Sequence, residues 1–398
     1  MVGADTAWIL VATALVLFMT IPGLSLFYGG LVHGRNVLSV LMQCMALACL
    51  MGILWLAAGY SLAFSGEGQW IGNLDKAFLK GVTTETLWDS GNIPEFLFFA
   101  FQMTFFIITP ALIVGTFVER VKFSAVLIFS ALWGFIVYIP ICHMTWQTGG
   151  YFFEMGVIDL AGGVVVHITA GVAALVFCLM IGRRQNPQPP HNLPLTLIGT
   201  GMLWVGWFGF NGGSGLAANG AAALSITVTH LSACAAAFTW MLIEWFLNRK
   251  PSALGLATGA IAGLAAITPA AGVAGPVGAL VIGVCSGALC WFVSVKVKNA
   301  LKFDDSLDVF GVHGIGGIVG TLLAAIVGVA AFQGVGDFSV GAQFGKQLLA
   351  TAVTALYTAV ATFAIYKVVD MLVGVRVTEN EERVGLDQSS HGETAYNE

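Results

Sequence analysis

The feature that most constrains this sequence is a recurrent run of about twenty residues carrying almost no charge, as in 161–182, where a single histidine is the only ionisable side chain apart from a cysteine. An α-helix of about 20 residues rises about 30 Å, which is the thickness of a bilayer's hydrocarbon core. Barrel strands would be about half as long and would alternate polar with apolar residues; these runs do neither. Only 9% of the 398 residues are charged and 58% are hydrophobic, where a soluble domain carries roughly a quarter charged residues. The solvent is therefore lipid, where a spanning helix satisfies its own backbone polar groups. The chain reads as an all-α polytopic membrane protein. Fifty glycines, clustered in stretches such as 255–263 and 311–320, point to tight helix–helix approach.

Eleven hydrophobic segments lie near 7–32, 38–65, 95–117, 124–144, 161–182, 195–213, 222–247, 253–269, 274–295, 309–332 and 344–372. The eighth is short and rich in glycine. Arg35, Arg120, Lys122, Arg183, Arg184, Arg249, Lys250, Lys296, Lys298 and Lys302 fall in every second loop. The intervening loops hold only Lys76, Lys80 and Lys346. By the positive-inside rule the N-terminus is outside and the C-terminus cytoplasmic. The start of the chain lacks the basic residues of a signal peptide, so either a signal was removed upstream or the first span inserts with its N-terminus outside. Residues 1–374 form the membrane domain and 375–398 a polar, acidic tail. The net charge of −5 says little where charges sit only in loops. The seven cysteines lie inside apolar runs and form no Cys-x-x-Cys pair; they read as buried free thiols.

Ten spans divide into two sets of five, approximately 7–182 and 195–332, with the segment at 344–372 left over. Five is odd, so the second set must cross in the opposite sense, an inverted repeat of the kind that places a transporter's site at the repeat interface. His167 in the fifth span and His313 in the tenth occupy equivalent positions. Each follows an acidic residue and a run of small or apolar ones: Asp159-Leu-Ala-Gly-Gly-Val-Val-Val-His167 and Asp308-Val-Phe-Gly-Val-His313. An ionisable residue inside a span is a functional candidate by default; a core histidine bonded to a neighbouring helix is the plainer reading. His167 lies roughly 12 Å beyond Asp159 along a helix, and His313 roughly 7–8 Å beyond Asp308 from the opposite side. In a core about 30 Å thick the two meet only if Asp308 is recessed from the membrane surface.

Phe101 and Phe105 share one face of the third span, Phe210 and Ser214 lie four apart at the outer end of the sixth, and Trp146 ends the fourth. These are either interfacial anchors or a cation site, since an aromatic face attracts a cation by ~0.5–2 kcal/mol. Asp159 and Asp308 read as structural supports at helix starts. His230 reads as a satisfied packing residue, and Asp304 and Asp305 as a solvated turn in a basic loop. The histidine pair lacks a third metal ligand at suitable spacing. No nucleophilic triad or phosphate-binding loop is present, which argues against an enzyme.

The chain also resembles the Amt branch of the Amt/Rh superfamily of ammonium transporters. The resemblance rests on Pro-Gly-Leu-Ser-Leu-Phe-Tyr-Gly-Gly at 22–30, Ala-Phe-Gln at 100–102 and Glu-Arg-Val-Lys-Phe-Ser-Ala-Val-Leu-Ile-Phe at 119–129. It continues through Pro-Ile-Cys-His-Met-Thr-Trp at 140–146, Asp-Leu-Ala-Gly-Gly at 159–163 and Pro-His-Asn-Leu-Pro at 190–194. Gly-Trp-Phe-Gly-Phe-Asn at 206–211, Asp-Val-Phe-Gly-Val-His-Gly at 308–314 and the tail from Gly385 to Tyr396 complete it. It implies eleven spans, a homotrimer and one pore per subunit. It assigns Phe101, Trp146 and Ser214 to an outer ammonium-recruitment site, Phe105 and Phe210 to a phenyl gate, and His167 and His313 to a hydrogen-bonded pore pair. Asp159 would support the recruitment site, and Phe27, Tyr28, Leu203 and Val309 would line the pore. Leu160, where an aromatic is common, and Phe106, where the residue is usually smaller, depart from the pattern without removing a functional atom.

The resemblance makes chemical sense. Ammonium, like a lysine ammonium that titrates near pH 10, is mostly charged at neutral pH. A narrow apolar pore opposes a bare cation by several kcal/mol. Recruitment offsets that cost, deprotonation lets ammonia pass, and two histidines offer alternating donors and acceptors for a proton relay. Potassium cannot donate a hydrogen bond or lose a proton. An ammonium sensor of the same fold and an Rh-type gas channel are the alternatives. Expected partners are ammonium or ammonia, membrane lipid, sister subunits and a PII-type signal protein at the tail, which otherwise packs on neighbouring subunits. No cofactor, metal or nucleic acid is expected, and the location is the plasma membrane, in bacteria the inner one.

Overall fold

The computed structural model describes residues 1–89 and 91–396; Asn397 and Glu398, the end of the expected tail, lie outside the described residues. All regular elements among those residues are helical, apart from two isolated β-bridges. Among the described residues ten helices are long and apolar enough to cross a membrane. They are α1 (Gly3–Leu31), α2 (Gly34–Phe64), α3 (Glu95–Phe117), α4 (Phe123–Met155), α5 (Gly163–Ile181), α6 (Leu193–Gly213), α7 (Gly220–Asn248), α9 (Pro276–Leu301), α10 (Phe310–Val327) and α11 (Val340–Val373). Between α7 and α9 lies a shorter apolar helix, α8 (Ala253–Ile267). A short helix in the tail, α12 (Glu379–Val384), follows.

Helix starts follow side-chain chemistry. Asn192 accepts from Leu195 N at α6, Asn219 from Ala221 and Ala222 N at α7, and Ser252 from Gly255 N at α8. Each satisfies backbone donors that the first helical turn leaves unpaired. Thr378 and Glu381 form a reciprocal capping box at α12. Proline inside a helix removes a donor and clashes with the preceding turn; at Pro22 the helix widens into a π-turn over Met19–Leu24.

The 15 residues of α8 rise only about 22 Å. Its extension toward Ala274 is irregular but wholly interior, with Thr268, Ala270, Ala271 and Ala274 fully buried. Irregular backbone is tolerated at membrane depth when enclosed by protein. Small residues enclose it: a Cβ added at Gly263 of α8 or Gly283 of α9 would stand 2.5 Å from Ser232 O of α7. On the outside, Ile53, Phe246, Leu356 and Met371 are exposed, an apolar surface suited to lipid.

Several sequence expectations change. The tenth span ends at Val327 rather than near 332, and the ninth continues to Leu301. Cys49 and Cys234 are exposed rather than buried, because they lie on outward helix faces. His230 is likewise on an exposed face, where Trp204 Nε1 donates to its Nδ1 at 3.2 Å. The loop at Asp304 and Asp305 is not a solvated turn. Asp305 is 1% exposed, and Asp304 accepts a bidentate pair from Arg184 at 3.0 and 2.9 Å. Arg120 is fully buried and donates to Gly182 O, Thr116 O, Asp304 O and Ser306 Oγ. A planar fork with five donors suits this task, which lysine's single ammonium cannot match.

The tail folds back on its own chain. Asp387 accepts from Leu38 N and Ser39 N at 3.1 and 2.7 Å, Leu386 N donates to Asn36 Oδ1 at 2.7 Å, and Glu382 pairs with Arg376 at 2.8 Å.

Candidate functional site

The two membrane histidines sit in matching local structures. Both lie in π-helical turns, Gly163–Ile168 opening α5 and Phe310–Gly314 opening α10. Such turns leave backbone groups and side chains displaced from the regular helical positions. Asp159 holds the first turn in place: its carboxylate accepts from Gly162 N, Gly163 N, Val164 N and Val165 N at 3.0, 2.5, 2.9 and 3.1 Å. Burial pushes its carboxyl up to about 6 against the pull of these four donors, so at neutral pH the acceptor is the carboxylate. At the second histidine turn the corresponding cap is Asp305, which accepts from Phe310 N at 2.7 Å. Asp308, expected in that role, instead takes φ +59° and ion-pairs with Lys298. Its carboxylate faces the Lys298 ammonium, leaving the buried cap to the residue three positions earlier.

Close backbone contact brings the histidines together. Gly171 and Gly317 each lie four residues after a histidine. A Cβ on Gly171 would collide with Gly314, and one on Gly317 would stand 2.9 Å from His167 Cβ. The contacts are reciprocal, each helix packing its glycine against the other's histidine turn. The ring centroids of His167 and His313 are 5.2 Å apart at 20°, and their Nδ1 atoms are 3.3 Å apart. Both are buried, at 1% and 4% exposure. Asp308 and His313 line one vestibule of about 230 Å³ with Phe27, Tyr28 and Glu244, which is the recess the depth argument required.

On the side of the pair away from the vestibule, Phe105 and Phe210 stack at 4.3 Å and 28°, and the Phe210 ring is 6.2 Å from His167. Trp146 meets Phe105 edge-on at 5.6 Å, and Phe101 meets it at 5.1 Å. Trp146 Nε1 donates to Asp159 O at 2.8 Å, so one residue orients both the outer tryptophan and the histidine turn. Ser214 donates its hydroxyl proton to Phe210 O at 2.7 Å, which leaves lone pairs for a hydrogen-bond donor. Trp146 and Ser214 are half-buried, while Phe101, Phe105 and Phe210 are buried.

Between the phenyl stack and the vestibule runs a constriction of about 10 Å³, lined by Phe27, Leu203, Trp207, Phe210 and both histidines. That is about the volume one water-sized molecule needs. Val309, expected along the pore, is buried beside Gly115. Phe106 points away from the stack into a cluster with Trp55 and Tyr138 at 5.1 and 5.3 Å. Among the described residues no group of three or more His, Cys, Asp or Glu side chains is placed to hold a metal.

Sequence reasoning missed Trp207 and Thr268. The Trp207 ring stacks on His167 at 5.5 Å and 23°, and its Nε1 donates to Thr268 Oγ1 at 2.9 Å. The only sequence signal was a threonine–proline step closing the shortest span.

The model of the Ammonium Transporter Family matches residues 7–396. The chain is 42% identical to an ammonium transporter of Bacillus subtilis, over 98% of each chain. It is similar to the solved structure of Candida albicans Mep2, with a TM-score of 0.87, 32% identity and coverage of 95% of this chain and 87% of that one. It is also similar to a structure described as a sensor Amt protein, with a TM-score of 0.90, 28% identity and 98% of each chain covered.

Proposed function

The chain belongs to the ammonium transporter family, and from that premise we propose how it carries ammonium across the membrane. It is an integral membrane transporter and not an enzyme. Ammonium is recruited at Phe101, Trp146 and Ser214, loses its proton, and crosses the Phe105–Phe210 stack as ammonia. It then passes His167 and His313 into the inner vestibule. The observation that carries this reading is the continuous line from phenyl stack to histidine pair through a constriction of about 10 Å³. A passage that narrow strips a cation's hydration, and no carboxylate lines it. A neutral molecule of one heavy atom passes at far lower cost than an ion. The histidine rings then offer the nitrogen sites through which the proton follows.

The reading extends to topology and assembly. α8 counts as the eleventh span, α1–α5 and α6–α10 are inverted repeats, the N-terminus is outside and the tail cytoplasmic. The reciprocal packing of Gly171 and Gly317 supports the repeat, and the basic inner loops support the orientation. The protein acts as a homotrimer with one pore per subunit, in bacteria in the inner membrane, and the tail is the dock for a PII-type protein. The resemblance to a sensor Amt structure keeps signalling as a second role, without displacing transport.

The test is current from purified protein in liposomes under an ammonium gradient. Wild type carries ammonium-evoked current and His167→Ala loses it. Uptake of labelled methylammonium with no current from wild type rules out the proton-coupled version.

A further inference from the structure

We propose that Thr268 is a positioning residue that fixes the tautomers of the histidine pair. The argument is an accounting of one hydroxyl. Thr268 Oγ1 donates its only proton to Leu264 O at 2.8 Å. It accepts the indole proton of Trp207 at 2.9 Å. A hydroxyl has one proton and two lone pairs, so one lone pair remains. The remaining neighbour is His167 Nε2, at 3.4 Å. That nitrogen must carry a proton to be bonded there; bare, it would set its own lone pair against the oxygen's. Thr268 is fully buried, His167 1% exposed and Trp207 1% exposed, so in the resting protein the contacts are made within a closed shell of side chains.

The rest follows from the neutral imidazole, in which one nitrogen donates and the other accepts. With its proton on Nε2, His167 presents a bare Nδ1 to its partner. The 3.3 Å contact between the two Nδ1 atoms then requires His313 to donate from Nδ1. His313 Nε2 is consequently a bare acceptor, on a ring that lines both the constriction and the inner vestibule. A single hydroxyl therefore sets a directed register of donors: His313 Nδ1–H to His167 Nδ1, and His167 Nε2–H to Thr268.

This register bears on the relay and rests on the transport mechanism above. With Nε2 protonated and Nδ1 engaged by His313, His167 has no free lone pair for an incoming proton. Inward relay through the pair begins only after the register inverts, which breaks the bond to Thr268. Thr268 thus favours the register in which His167 has no free acceptor.

The experiment is solid-state ¹⁵N spectroscopy of histidine-labelled full-length protein in lipid bilayers without ammonium. The pair is identified by the coupling across its N–H···N bond, and each half is assigned by loss of its signals in His167→Ala or His313→Ala. Wild type is expected to show His167 protonated at Nε2 and His313 at Nδ1, preferred over the inverse register by roughly fivefold, the effect of one net hydrogen bond. Thr268→Val keeps the volume and removes the acceptor, and should bring the two registers close to equal. Thr268→Ser should restore the wild-type pattern. A wild-type His167 that is unprotonated at Nε2 overturns the proposal, as does a Val variant with the wild-type pattern. If the Val variant does not fold, the wild-type spectrum still decides. The spectra are read without transport, so a wild type that carries no ammonium current counts against the relay and leaves the tautomer assignment to stand or fall on its own.

Discussion

Replacing Asp159 by asparagine tests whether the histidine turn is held by a carboxylate cap. The substitution changes shape little but exchanges one oxygen for an NH₂ group. In the wild type Oδ1 accepts from Gly162 N and Gly163 N, and Oδ2 from Val164 N and Val165 N. The amide oxygen can serve one pair of donors; the NH₂ then faces the other pair, donor against donor. Two hydrogen bonds to a charged acceptor are lost, each contributing ~1.5–3 kcal/mol, and two N–H groups are left unpaired at a site 6% exposed. Some of that loss is recovered as the turn relaxes, leaving a net destabilisation of about 3 kcal/mol. The same change loosens Asp159 O, the acceptor for Trp146 Nε1, so recruitment and the histidine turn are disturbed together. The assay pairs thermal unfolding in detergent with methylammonium uptake into proteoliposomes. A lowered midpoint with reduced uptake is expected, and Asp159→Glu, which keeps both oxygens, should lose less stability. An unchanged midpoint would falsify the cap argument. Lost uptake at an unchanged midpoint would mean that the charge acts on ammonium directly.

Gly171→Val should separate α5 from α10, because its side chain would run into the backbone of Gly314 and His313; overpacking costs ~1–3 kcal/mol, and loss of the coupling across the histidine pair in ¹⁵N spectra is the readout. The inner loops carry an acid-sensitive contribution. Burial alone would raise the Asp304 carboxyl, but the Arg184 fork and nearby Arg120 outweigh it and hold the group at about 2. A depressed carboxyl stabilises the fold above the ordinary value near 4 and loses that contribution as pH falls from about 4 to about 2, roughly 2 kcal/mol in all. Asp304→Asn should flatten this part of a stability–pH curve measured by unfolding, and an unaltered acid limb would remove the argument. Asp387→Ala strips the acceptor from Leu38 N and Ser39 N, so limited proteolysis should cleave the tail faster while α1–α11 stay intact; equal cleavage rates would show that other contacts hold the tail.

Much was legible before any coordinates. A run of about twenty uncharged residues determines a spanning helix, because lipid leaves the backbone no other partner. The caps at Asn192, Asn219, Ser252 and Thr378 came only with the structure, although each is local, its side chain bonding donors two or three residues on. What the chain alone could not decide was which polar groups end up buried together. Asp304, Asp305 and Asp308 look alike along the sequence, yet Asp305 caps α10, Asp304 grips Arg184 and Asp308 pairs with Lys298. Arg120 reads as one more inner-loop charge until three loops converge on it. The histidines show the division most clearly. Their places in the fifth and tenth hydrophobic segments were written in the sequence, but their contact depends on glycines of each helix meeting the other's π-turn. The threonine–proline step at 268–269 marked the end of a span and gave Thr268 no role. Its role comes from where Trp207, Leu264 and His167 are brought around one oxygen, which is a property of the packed bundle.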